Sequence, residues 1–231
     1  MVLDPGDGAT PAAARRRIRG RALAIGVSVM PFGVSFGAVS VATGLSMLQT
    51  CLLSLVLFSG ASQFALVSIL GAGGGLASAL LTALLLGVRN ALYGVSVRGV
   101  LGVGGVLRPV AAEVTIDEST AMALAESGAG FGAYAFWATA LSVYVLWNLS
   151  TLAGALVGRG IGSLSAAGLD AAGPAAFVAL LGPRVRGARS LRVVALAGAA
   201  VALGLVPVMP AGSTVVVGGV VAAAAYAGAR R

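Results

Sequence analysis

Residues 22–88 carry no charge, a run of 67 positions. If such a run lies in lipid, its backbone polar groups must be satisfied without water, and helices do this within one segment. One crossing needs roughly 20 apolar residues, so the run holds about three. Gly44-Leu45-Ser46 and the glycine-rich residues 71–75 divide it. The crossings then fall near residues 21–43, 49–70 and 76–97. A fourth fits near residues 132–157, inside a second charge-free stretch. Two shorter ones fit within residues 193–229, divided at Pro207 and Pro210. Residues 171–183 are apolar but only 13 in number, too few to span.

Composition agrees with lipid as the solvent. Charged residues make up 10% of the chain and hydrophobic ones 58%, whereas a soluble domain carries about 25% charged residues. The expected class is an all-α integral membrane protein. The net charge is +8, and all 15 basic residues are arginine. They sit at the ends of apolar runs, which points to a membrane surface rather than nucleic acid. Histidine is absent and Cys51 is the lone cysteine, so there is no histidine catalysis, no internal disulfide and no ligand set for zinc. "GAGGG" and "GVGGV" lack the lysine and the strand–helix setting of a phosphate loop. No nucleophile–base pair is visible. The reading is a non-enzyme without cofactor or metal.

Residues 1–20 read as a basic leader, disordered over residues 1–14, and residues 21–231 as one transmembrane domain. An export signal is excluded because the apolar run after the arginines does not stop after about 7–15 residues. Arginine bias places Arg15 to Arg21, and so the N-terminus, in the cytoplasm. Three crossings then put the acidic segment 98–126 outside. There Val114, Met122 and Ala125 suggest a short amphipathic helix, with Thr115 and Glu118 as a capping box. A fourth crossing returns Arg159 inside. If residues 171–183 dip in and return, the arginines of "RVRGARSLR" are also inside, and two more crossings leave Arg230 and Arg231 there. The alternative is a full crossing by residues 161–181. The expectation is six crossings plus a short re-entrant or broken helix, with seven crossings as the alternative. "GASQFALVSIL" from Gly60 echoes "GPAAFVALL" from Gly173. This allows a three-plus-three inverted repeat, with halves at residues 21–100 and 131–210.

Three motifs carry chemistry. "PFGVSFG" sets Pro31, Gly33, Ser35 and Gly37 inside the first crossing. Proline removes a backbone hydrogen bond there, and a broken helix can offer its backbone to a substrate where a cavity lies. Gly33/Gly37 and Gly154/Gly158 read more simply as G-x-x-x-G faces that receive other helices, including those of a partner. "FSGASQF" gathers Ser59, Ser62 and Gln63 in an apolar helix, for interhelical hydrogen bonds or for a substrate's charged ends. "LLLGVRNALYG" places Arg89 and Asn90 deep in the third crossing. A buried arginine costs several kcal/mol unless it is paired or wetted. Two readings stay open. Arg89 holds a substrate carboxylate, or it ties down the segment that carries Asp117 and Glu118.

"MPFGVSFGAVSVATGLS", "LFSGASQFALVSIL", "LTALLLGVRNALYG" and "TIDESTAMAL" resemble, in that order, the AzlC-type branched-chain amino acid permeases. "GLDAAGPAAFVALLGP" resembles that family's short helix before a basic loop. The resemblance covers nearly the whole chain after the leader. It implies export of valine, leucine or isoleucine across the inner membrane, together with a small hydrophobic AzlD-like subunit. The expected substrate-binding residues are Arg89, Asn90, Gln63, Ser59, Ser62, Pro31 and Ser35. Family members usually carry histidine where this chain has Asn90, so a titratable group is missing at that place. The competing classes are an oligomeric channel and a non-catalytic membrane assembly subunit.

Overall fold

The computed structural model describes residues 10–160, 182, 185–187, 189–209 and 213–228. Among them every element is helical. Three helices are long and apolar enough to cross a bilayer: α1 (Pro11–Ala42), α4 (Leu76–Leu101) and α7 (Gly132–Gly158). Between them lie four shorter helices, α2 (Met47–Val56), α3 (Gly60–Gly71), α5 (Leu107–Glu113) and α6 (Asp117–Ala125). Further on, α8 (Arg189–Leu205) and α9 (Ser213–Gly228) pack against each other, with Gly198 and Gly218 at the contact. The expected short helix at residues 171–183 lies outside the described residues, as does much of the second half repeat. Asp170, Arg230 and Arg231 also lie outside them.

α1 begins at Pro11, with the Thr10 hydroxyl accepting from the Ala13 amide. Proline suits a helix's first turn because it lacks only an amide hydrogen that would be unsatisfied anyway. Residues 11–20 therefore belong to a helix and are not a disordered leader. α1 also runs unbroken through Pro31, contrary to the expected break.

The two G-x-x-x-G faces pack against each other. Gly26 of α1 meets Ser142 of α7, Gly33 meets Ser150, Gly37 meets Thr151, and Ala38 meets Gly158. The numbers rise together, so α1 and α7 are parallel. A Cβ on Gly37 would collide with the Thr151 carbonyl, and one on Gly154 with the Val34 carbonyl. Lipid gives helices no hydrophobic reason to associate, so this close backbone approach holds them through dispersion. The faces are consumed inside the chain and are not left for a partner.

α2 and α3 do not make a crossing. α2 starts just beyond the C-terminal end of α1, and its Ser54 reaches Thr151 of α7. At the break, Phe58 meets Tyr144, seven residues back along α7. α3 then climbs again: Phe64 packs edge-on against Phe36, and Gly71 lies against Thr43. Residues 47–71 thus enter from one end, turn at mid-depth and leave by the same end.

α4 descends from there to the end where α1 starts, and its Val97 packs with Ala111, Ala123 and Phe136. α5 and α6 form a second hairpin from that opposite end. Ile116 joins the mid-depth core with Phe58 and Phe64, while Met122 returns to Ile18 and Ala135. Glu126, nearly fully buried, accepts from Arg17 at 2.7 Å and from Arg21 at 3.2 Å. The acidic segment, expected on the side opposite the N-terminus, therefore folds into the bundle from the end where α1 starts. The expected Thr115 cap is replaced: its hydroxyl donates to the Ala111 carbonyl, and Ser119 accepts the Ile116 amide instead. Arg159, at the end of α7, lies at the end opposite Arg15 to Arg21.

Two outcomes follow from this packing. Gly37→Ala should lower thermal stability in detergent, since overpacking costs typically 1–3 kcal/mol. Gly94→Ala, where nothing lies within 4 Å of the added carbon, should not; equal melting of the two would contradict the close α1–α7 seam. In a Cys51→Ala background, cysteines at Leu45 and Ala72 should label from the same side of the membrane, and one at Ser127 from the other. Labelling of 45 and 72 from opposite sides would restore a full second crossing.

Candidate functional site

The two hairpin tips meet near the middle of the bundle. The first tip, Leu57 to Ser59, strands the last carbonyls of α2, which have no helical partner. Gln63 supplies one. Its amide nitrogen donates to the Leu57 carbonyl at 2.7 Å and more weakly to Ser54 at 3.4 Å. Its amide oxygen accepts the Trp147 indole N–H at 3.0 Å. The Tyr144 hydroxyl donates to the Leu55 carbonyl at 3.1 Å. The Phe58 amide donates to the Glu113 carboxylate at 3.2 Å, a direct link from the first hairpin to the second. Ser62 donates to the Ala83 carbonyl of α4 at 2.8 Å and lies 3.1 Å from the Ser59 hydroxyl.

The second tip carries Asp117. Arg89 of α4 grips it with both terminal nitrogens, at 3.2 and 3.3 Å. This fork is the geometry that planar guanidinium and carboxylate favour. The Arg89 Nε is buried without a hydrogen-bond partner. In this structure the partner of Arg89 is Asp117.

A cavity of about 90 Å³ lies between the tips. Val29 and Phe32 of α1 and Val143 and Trp147 of α7 make an apolar wall. Ser59, Gly60 and Phe64 come from the first hairpin, and Arg89, Asp117 and Glu118 make the charged side. The space holds several waters by volume, since one needs roughly 10–15 Å³ on this measure. The helices α3 and α6 both begin at this cavity, so their N-terminal dipole ends face it, as in transporters built from broken helices.

The expected site residues separate into three groups. Arg89 and Ser59 line the cavity. Gln63 and Ser62 are fully buried beside it, with hydrogen bonds committed to backbone carbonyls. Asn90, Pro31 and Ser35 do not line it. Asn90 faces a groove between α4 and α5 that Thr115 also lines, and its side-chain oxygen has no partner. Pro31 is exposed, and the Ser35 hydroxyl donates to the Pro31 carbonyl one turn back. Sequence reasoning missed Trp147 and Phe32 as cavity residues. Trp147 had a weak signal, a large aromatic with a polar N–H amid a crossing, shared with Trp137 of the same helix. Glu113 stood among the acids near Arg89, but its contact with the Phe58 amide depends on the hairpin and had no signal.

The family model described as AzlC protein matches residues 24–161, which include every residue lining this cavity. A curated relative, the inner membrane protein YgaZ of Escherichia coli (strain K12), is 38% identical over 76 residues. That stretch covers 33% of this chain and 31% of the relative, about a third of its length. No solved structure matches. With the family model covering more than half of its length and three helices long and apolar enough to cross a bilayer, this chain belongs to the AzlC family and is an integral membrane protein.

Proposed function

We propose that the chain is a secondary transporter exporting branched-chain amino acids, and that it is the large subunit of a two-component permease. The observation that carries this reading is the cavity between two hairpin tips entering from opposite ends. One wall is apolar and the other presents a guanidinium and two carboxylates. A zwitterion with an aliphatic side chain matches both walls. Hairpins that meet at mid-depth favour a carrier over an open channel, because each tip can retreat in turn. Arg15, Arg16, Arg17, Arg19 and Arg21 share one end with Arg98 and Arg108. Among the described residues only Arg159 caps the other end of these seven helices, so arginine bias makes the first end cytoplasmic. The small AzlD-like subunit rests on family resemblance alone.

In this reading Arg89 exchanges partners. Asp117 holds it when the cavity is empty, and the substrate carboxylate takes it when the site is filled. Counterflow of labelled valine in proteoliposomes, with and without a co-expressed small subunit, tests the activity; no aliphatic amino acid exchanged under either condition would end the proposal. Arg89→Lys keeps the charge but loses the fork. It should raise half-saturating valine about 10- to 150-fold, the worth of a charge-assisted contact of about 1.5–3 kcal/mol. Asp117→Asn removes the competing carboxylate and should lower that concentration. If both variants only reduce the yield of folded protein and leave valine affinity intact, Arg89 is a structural tie and not a substrate ligand.

A further inference from the structure

One face of α3 cradles the Trp147 ring. Gly60 and Gln63 stand three residues apart, and such positions share one side of a helix. An ideal Cβ on Gly60 would lie 3.1 Å from the outer edge of the indole, a tight approach that would make the ring give by a few tenths of an ångström. At the ring's other end, the fully buried Gln63 accepts the indole N–H at 3.0 Å. The backbone is held too. The Trp147 carbonyl lies 3.0 Å from where a Cβ of Gly33 would stand, and it accepts the Ser150 hydroxyl at 2.9 Å. The indole is therefore fixed at its root, its nitrogen and its far edge, while it forms part of the cavity wall.

We propose that Trp147 is the residue that limits substrate side-chain size, and that Gln63 and Gly60 are positioning residues that hold its ring at the cavity wall. This rests on the reading of the cavity as an amino acid site. A ring held at three points does not swing aside for a larger side chain, so the volume before it acts as a steric ruler. Gln63 then touches the break of the first hairpin and the indole at once. Its two hydrogen-bonding ends couple the shape of the hairpin tip to the width of the pocket. Its role is to aim Trp147, not to contact the substrate.

The test is competition of alanine, valine, leucine and phenylalanine against labelled valine counterflow in proteoliposomes, using the full chain with its small subunit. Trp147→Phe shortens the ring and removes the N–H. It should improve phenylalanine relative to valine on the order of 10-fold, the lower end of what one methylene of pocket space discriminates. Gly60→Ala pushes the indole into the cavity and should shift preference from leucine toward alanine by a similar factor. Gln63→Leu frees the ring and should blur the ranking in whatever valine exchange the variant retains. Monodispersity in detergent is measured for each variant, and should Gln63→Leu fail to fold, Trp147→Phe and Gly60→Ala decide alone. Unchanged amino acid rankings in those two variants, with valine exchange intact, would overturn this inference and leave the proposed function standing. No exchange by the wild-type protein would remove both.

Discussion

The architecture depends on a helix that stops in the middle of the bundle without exposing its backbone to lipid. An unsatisfied carbonyl or amide there costs several kcal/mol. The break at Leu57 to Ser59 meets that cost with three side chains from three directions. Gln63 of α3 serves the Leu57 carbonyl, Tyr144 of α7 serves Leu55, and Glu113 of the second hairpin takes the Phe58 amide. Only because these groups converge can α2 and α3 turn back at mid-depth, and only because they turn back is there a cavity.

The parallel α1–α7 pair is the frame against which both hairpins are set. Its glycines bring the backbones together, so the two helices act as one wall carrying Val29, Phe32, Val143 and Trp147. α4 is the opposite support, bringing Arg89 to the second tip. The ionic contacts fall at two levels. Glu126 with Arg17 and Arg21 fastens the root of the second hairpin to α1, and Asp117 with Arg89 fastens its tip to α4. A hairpin held at root and tip by charges can change register at the tip while the root stays fixed, which is the motion the carrier reading needs.

The three long helices were legible because charge-free length is a direct measure of membrane thickness. The glycine-rich divisions and the role of Gly33, Gly37, Gly154 and Gly158 in helix packing were legible for the same reason: small residues have a defined steric meaning. The hairpins were not. An apolar helical hairpin has the same hydropathy as a crossing of equal length, and its turn here has no proline, with glycine only at the start of α3. Proline misled in the other direction, since α1 absorbs Pro31 without breaking. The acidic segment was placed outside because residues 49–70 were counted as a full crossing. Three of its four carboxylates have these partners instead: Asp117 with Arg89, Glu126 with Arg17 and Arg21, and Glu113 with a backbone amide. Such matches span 28 to 109 residues and leave no local trace. Arg89 was legible because an intramembrane charge stands out alone, and of the two readings of Gln63 the structure shows the interhelical hydrogen bond.

The central claim is that the space between the two hairpin tips is where the substrate sits. The most direct measurement is substrate protection of a single cysteine placed there. In a Cys51→Ala background, Val29→Cys puts a thiol on the apolar wall of the cavity, and Ser127→Cys puts one well away from it. Saturating valine should slow alkylation of the cysteine at 29 while leaving that at 127 unchanged. Equal alkylation rates at position 29 with and without valine, in protein that still exchanges valine, would place the substrate elsewhere and contradict the account.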